Sequence, residues 1–274
     1  MGTRRCGVAM TDLGSDLATD LATRSAVSAI EETHFIVIGA GGLGCPALLG
    51  LVGGGARRLT IIDDDCVESS NLQRQVLYAV DTLGCPKVEA ASWRLRALTR
   101  RAQPLDVQTL ARRLEVDQNG ALVGGIAALS PGRAAVVLEC SDSPALKFAV
   151  HDACVTAGVP LVIGGVLGWR GQAMAVAPDA PERACYRCRF EDPPPPELAP
   201  SCASVGVVGA VAGVVGHCMA ALALALTGPD RGRDCGRLHD FDLLAGRCAA
   251  LAPRASPTCS STHHKPATSD GSPP

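Results

Sequence analysis

Hydrophobic and polar positions along the chain divide it into segments of different character. Residues 1–33 carry little apolar periodicity beyond a helical pattern over Leu17–Ile30 and read as an N-terminal arm. From His34 the pattern sharpens. Phe35-Ile36-Val37-Ile38 is a short β-branched run that leads into Gly39-Ala40-Gly41-Gly42-Leu43-Gly44 and then an apolar helical stretch. A strand, a glycine turn and a helix in that order form the opening unit of a doubly wound sheet. A second run, Leu59–Ile62, ends in Asp63-Asp64-Asp65. Helices are predicted over Lys87–Leu98 and Ala145–Ala157, and further strands over Val107–Leu110, Ala134–Leu138 and Leu161–Val166. Strands that alternate with helices imply an α/β fold, a Rossmann-like, largely parallel sheet with helices on both faces.

Beyond Arg183 the character changes. Cys185-Tyr186-Arg187-Cys188 is followed by Pro193–Pro196, a proline run that cannot be helix or central strand. An apolar stretch, Ala203–Gly228, comes next, and then a hairpin pattern in Arg237–Leu251 that would extend the sheet with antiparallel strands. The apolar stretch is long enough to span a bilayer. His217 near its middle and the absence of Lys or Arg at its start favour a buried core helix instead. The expected organisation is an arm over 1–33, one nucleotide-binding domain over 34–254 and a Ser/Thr/Pro-rich disordered tail over 255–274.

Composition narrows the functional classes. Apolar residues are 47% of the 274, enough for a packed core. The net charge of −2 and the lack of a Lys/Arg block give no basic face for nucleic acid, and 3% aromatics give no base-stacking platform. Thirteen irregularly spaced cysteines do not form a disulfide framework. Asp12, Asp16 and Asp20 stand where a signal peptide needs an apolar run, so a cytoplasmic protein with reduced thiols is expected.

The chemistry begins at Gly39, Gly41 and Gly44, a G-x-G-x-x-G loop in the context that places phosphate at a helix N-terminus. Asp63 follows where an acid accepts from a ribose hydroxyl. Alone, these two features fit a nicotinamide dinucleotide and an NAD-dependent oxidoreductase. Ser70-Asn71-Leu72-Gln73-Arg74-Gln75 and Lys87 add the cations and polar groups that a triphosphate requires and a dehydrogenase would leave idle. Asp142 suits a helix N-cap before Pro144. Cys185 and Cys188 have the spacing of a zinc knuckle. A redox pair is disfavoured there, because the surroundings read as a Pro-rich loop and not as the start of a thioredoxin-type helix.

Ile38–Gly44, Asp63–Asp65, Ser70–Gln75, Pro86-Lys87, Cys140-Ser141-Asp142, Cys185–Cys188, Cys202–Gly209 and Gly236–Asp242 together resemble the E1-like superfamily. That superfamily includes ThiF, MoeB, HesA and the adenylating domains of ubiquitin-activating enzymes. The resemblance spans about residues 34–259 and implies ATP-dependent adenylation of the C-terminal Gly-Gly carboxylate of a ubiquitin-like sulfur-carrier protein, ahead of thiocarboxylate formation. Carried over by position, Gly39, Gly41, Gly42 and Gly44 shape the nucleotide loop, with Gly42 against the nucleotide, and Asp63 takes the ribose. Asn71, Gln73, Arg74 and Lys87 meet the phosphates, and Asp142 holds Mg²⁺. Cys202 aligns with a position that forms a covalent sulfur link in thiamin-pathway members; it reads either as that nucleophile or as a small loop residue.

The family closes its zinc site with a second C-x-x-C. Here Cys259-Ser260-Ser261-Thr262 keeps one cysteine, with His263-His264 after it, so the Zn²⁺ site is either Cys185, Cys188, Cys259 and His263 (or His264) or a lost or weakened one. An N-terminal arginine segment that reaches the partner's ATP in family dimers has no match here, though Arg4, Arg5 or Arg24 could stand in. The resemblance also implies a homodimer and a sulfurtransferase partner. A relative that binds a carrier without adenylating it, or that modifies a peptide, is the alternative.

Overall fold

The computed structural model describes residues 26–99, 104–126, 134–195, 205–228, 233–257, 259 and 261. The helical pattern read over Leu17–Ile30 falls mostly outside them; residues 26–32 are helical. Strand β1 (His34–Ile38) is followed by helix α1 (Gly44–Gly53), β2 (Arg58–Ile62), α2 (Lys87–Leu98) and β3 (Asp106–Leu110). Then come β4 (Ala135–Glu139), α3 (Pro144–Ala157) and β5 (Leu161–Leu167). The chain continues through β6 (Arg170–Val176), the short α4 (Tyr186–Arg189), α5 (Gly209–Ala225), β7 (Leu238–Asp242) and β8 (Arg247–Leu251).

The eight strands form one sheet in the order β3-β2-β1-β4-β5-β6-β7-β8. The first five pair in parallel and the last three antiparallel, as the alternation implied. Buried runs such as Phe35–Ile38 and Leu59–Ile62 put apolar side chains on both faces, which a sheet must do when helices cover it on both sides. One face packs α1, α2 and α5; the other packs α3 and the Cys185–Cys188 turn. Because β1 lies between β2 and β4, the connections leaving β1 and β4 diverge and open a crevice at their carboxyl ends.

Three expectations change. Strand β6 is not marked as a strand by the sequence pattern; it follows β5 through a tight Gly168-Trp169 turn, with Leu167 paired to Arg170. The apolar stretch is not one helix from Ala203: Val207 bridges Gly168, and α5 begins only at Gly209. No helix among the described residues is long and apolar enough to cross a membrane. The small residues of α5 serve close packing instead. A Cβ on Gly216 would stand 2.6 Å from the Leu43 carbonyl, and one on Gly209 only 2.3 Å from that of Gln73. Last, the Cys185–Cys188 segment is not wholly loop, since Tyr186–Arg189 make one helical turn with Cys185 at its N-cap position.

Candidate active site

The crevice holds a cavity of about 740 Å³. Its wall at the end of β1 is the glycine loop. Gly39 has φ of +90°, and a Cβ there would lie 3.0 Å from the Cys140 backbone, so the position requires glycine. A Cβ on Gly44 would sit 1.9 Å from the Gly39 carbonyl. Gly44 therefore closes the turn beneath the cavity, whereas Gly39, Gly41 and Gly42 face it. The loop is held from behind through the two peptide groups of Ala40. Its N–H donates to Asp63 Oδ2 at 2.7 Å, and its carbonyl accepts from the buried Tyr78 hydroxyl at 2.7 Å and the Cys45 thiol at 3.4 Å. Burial pushes that thiol up to about 12, so it stays a neutral donor.

Asp63 thus has a scaffold role besides lining the cavity. Its Oδ1 accepts from the Asp65 N–H at 2.9 Å and lies 3.9 Å from the Lys87 ammonium. Burial raises its carboxyl above the usual range, and the Lys87 charge and the two amide donors oppose that rise. Lys87, the first residue of α2, is only 4% exposed and also pairs with Asp65 Oδ2 at 2.7 Å. A cation buried this deeply needs acidic partners, which Asp63 and Asp65 supply beside the cavity.

The polar cluster after β2 folds into a single 3₁₀ turn, Ser69–Asn71, and the residues just past it. Arg74 Nη2 donates to Asn71 Oδ1 at 2.6 Å, and Glu68 accepts from both Ser70 and Asn71. Arg74 packs along Gly42, 3.4 Å from the position a Cβ would take. Gln73 does not join the site: it is exposed, and its carbonyl abuts the first turn of α5. Gln75 takes its place, 3% exposed, lining the cavity near Gly41, with its buried Oε1 lacking a protein partner. An alternating polar run does not reveal which glutamine turns inward, because the turn geometry decides it.

Asp142 arrives on the loop after β4 and is exposed at the cavity edge. It is not the helix cap. Ser143 is, with its side chain accepting from the Leu146 N–H at 3.3 Å and Pro144 opening α3. Beneath the loop, Lys147 and Glu139 form a buried ion pair that the sequence pattern does not signal. Arg112 and Arg113 follow β3 and also line the cavity, with Arg113 Nε 3.0 Å from Asp64 Oδ2. They put further arginines of this chain at the site; Arg4, Arg5 and Arg24 lie outside the described residues.

Outside the cavity, against α3, Cys185, Cys188 and Cys259 bring their sulfurs together. Cys185 Sγ is 3.8 Å from Cys188 Sγ and 3.6 Å from Cys259 Sγ, far beyond a disulfide bond. A tetrahedral ion with bonds of about 2.3 Å separates its sulfur ligands by roughly 3.8 Å, so the spacing fits Zn²⁺. Ser256 N–H donates to Cys188 Sγ at 3.3 Å, as an outer partner of a thiolate would. Without a cation, burial pushes the Cys185 thiol up to about 12. Arg187, between the two cysteines, clamps the segment to α3 by donating to Asp152 from Nε at 2.9 Å and from Nη2 at 2.7 Å. His263 and Cys202 lie outside the described residues.

Comparison with known proteins gives the chain's relatives. A SAMP-activating enzyme E1 of Haloferax volcanii is 35% identical over 228 residues, which are 83% of this chain and 79% of that protein. The Sulfur carrier protein ThiS adenylyltransferase of Escherichia coli is 35% identical over 83% of this chain and 85% of its own. The Adenylyltransferase and sulfurtransferase MOCS3 of Bos taurus is 39% identical over 86% of this chain, which spans only 49% of its length. Among solved structures, E. coli MccB with ATP superposes with a TM-score of 0.69 at 19% identity, over 86% of this chain and 69% of that one, a likeness of fold. The ThiF family profile matches residues 13–261, and with these relatives it establishes that the chain belongs to the ThiF family.

Proposed function

We propose that the protein is an ATP-dependent adenylyltransferase that activates the C-terminal Gly-Gly carboxylate of a ubiquitin-like sulfur carrier as an acyl adenylate. The observation that carries this reading is the convergence of Gly41, Gly42, Arg74, Lys87 and Asp142 on one cavity at the switch point of the sheet. A dinucleotide oxidoreductase has no use for that set of charges. In the reaction the carrier carboxylate oxygen attacks the α-phosphorus, and the bond to the bridging oxygen of pyrophosphate breaks. Negative charge grows on both sides of the phosphorus. Arg74 and Lys87 supply fixed positive charge there, and Arg112 and Arg113 add to it.

The donor set fits Mg²⁺. Asp142 stands exposed at the cavity edge, kept clear of the helix cap by Ser143, and would hold the ion, which neutralises triphosphate charge when bound. Asp63, already an acceptor for two backbone amides, would take a ribose hydroxyl. Gln75 would offer its carboxamide where Gln73 does not. Cys185, Cys188 and Cys259 would hold Zn²⁺, with His263 as the fourth ligand, and the ion would join the segment after β8 to the Cys185–Cys188 turn.

A protein substrate explains the rim. Close in sequence to the lining residues Leu167 and Val207, Trp169 (47% exposed) in the β5–β6 turn and Val205 leave apolar surface in solvent, as does Leu244 in the β7–β8 turn. The Leu243 N–H donates to the Trp169 carbonyl, which joins the two turns into one ledge. A carrier domain resting there could send a flexible C-terminal tail past Leu167 and Val207 into the cavity. A homodimer, and a sulfurtransferase acting on the adenylate, complete the family reading.

The test is ATP–pyrophosphate exchange with Mg²⁺ and a panel of Gly-Gly-terminated carriers, set against Asp142→Ala. Carrier-dependent exchange that falls by about 10²-fold or more in the variant is expected. No exchange with any carrier, by a folded protein that binds ATP, would favour a relative that binds without adenylating.

A further inference from the structure

Lys147 lines the nucleotide cavity, yet its ammonium is fully occupied within the protein. It donates to Glu139 Oε2, to the Ser141 carbonyl at 2.6 Å and to the Gly164 carbonyl at 2.7 Å. A lysine has three N–H donors, so none is left for a ligand. Glu139 is fully buried, and its other oxygen accepts from both the N–H (3.1 Å) and the hydroxyl of Ser141. Burial pushes the Glu139 carboxyl up, and the Lys147 ammonium and the Ser141 donors counter that push.

Every polar atom of Ser141 is therefore tied to this pair. The next residue is Asp142, and the one after it, Ser143, is fixed as the cap of α3. Asp142 thus hangs between two anchored neighbours. The third acceptor, Gly164, belongs to β5, whose following residues Gly165, Val166 and Leu167 also line the cavity. One ammonium joins the loop that carries Asp142 to β5.

We infer that Lys147 and Glu139 are positioning residues: a buried ion pair that sets the Asp142 carboxylate against the β5 wall, so that metal and triphosphate meet it in a fixed place. The inference rests on the proposed role of Asp142. A purely stabilising role is served as well by an apolar pair of similar volume, since buried ion pairs add little net stability. What an apolar pair cannot do is hold Ser141 by its N–H, hydroxyl and carbonyl together.

Lys147→Met alone strands a buried carboxylate and can unfold the chain, so the decisive variant is the apolar double substitution Glu139→Leu with Lys147→Met. Calorimetric titration of ATP over a range of Mg²⁺ concentrations reads the metal step without turnover. In the folded double variant the Mg²⁺ concentration for half-maximal tightening of ATP should rise about 10-fold or more, the usual consequence of removing a ligand's outer support. ATP affinity without Mg²⁺ should stay within about twofold, and amide exchange across 139–147 should quicken. Lys147→Arg, which keeps the charge, should recover most of the Mg²⁺ response. A folded double variant with wild-type Mg²⁺ dependence and unchanged amide exchange overturns the inference. A wild-type protein whose ATP affinity ignores Mg²⁺ overturns the reading of Asp142 on which it stands.

Discussion

The Ala40 carbonyl, facing away from the nucleotide cavity, shows how single residues shape this site. It accepts from the Tyr78 hydroxyl, and the same residue's N–H is held by Asp63, so the glycine loop is anchored before any ligand arrives. Tyr78→Phe leaves most of the packing and removes the shorter of the two hydrogen bonds to this buried acceptor, leaving it the weak Cys45 thiol. A loss of about 1–3 kcal/mol in urea unfolding is expected, with weaker ATP binding; unchanged values would mean that the loop holds its shape without this bond. Asp152 illustrates charge at the same scale. Burial opposes its ionisation, but hydrogen bonds from His151 and Arg187 outweigh that and hold its carboxyl at about 2, below the ordinary value. A depressed carboxylate contributes stability that is present above the unfolded pKa of about 3.9 and lost as pH falls from there toward 2. Asp152→Asn should flatten the acid limb of the stability profile between pH 4 and 2, and an acid limb as steep as in wild type would contradict that role.

At the scale of elements, α5 carries a clear contrast. Gly209 at its start meets the Gln73 carbonyl, so Gly209→Ala forces α5 away from the polar cluster and should cost about 1–3 kcal/mol. Gly213, one turn later, has nothing within 4 Å of a built Cβ, and Gly213→Ala should raise stability by about 0.5–1 kcal/mol. Thermal unfolding of the two variants checks the pair; equal shifts would refute the packing. What could be read without coordinates follows the same division. The unit from Phe35 to Gly44 was legible because strand, turn and helix are local patterns, and the alternating order of later elements yielded the parallel sheet and the hairpin at Arg237–Leu251. Strand β6 was not, because its small residues Gly171, Ala173 and Ala175 hide the strand period. Nor was the choice of Gln75 over Gln73, which depends on how far the chain turns after Ser69. Glu139 and Lys147 lie on a strand and a helix whose apposition is purely tertiary, so neither stood out.

At the scale of the whole molecule, the sheet divides its labour. Its parallel half presents the nucleotide cavity, and its antiparallel half presents the ledge around Trp169 and Leu244, so the attacking carboxylate would enter between them. The Cys185, Cys188 and Cys259 cluster brings the segment after β8 back to that frame. Purified protein should carry one zinc per chain by metal analysis, and Cys185→Ser should lose it and lower the melting temperature. A metal-free wild type of equal stability would show that the cluster is a packing feature. The most direct test of the central proposal uses one carrier in two forms, with a free C-terminal carboxylate and with a C-terminal amide, in the ATP–pyrophosphate exchange reaction. Adenylation of that carboxylate requires exchange with the first and background with the second. Equal exchange with both, or with no carrier at all, would contradict the terminal carboxylate as the group activated.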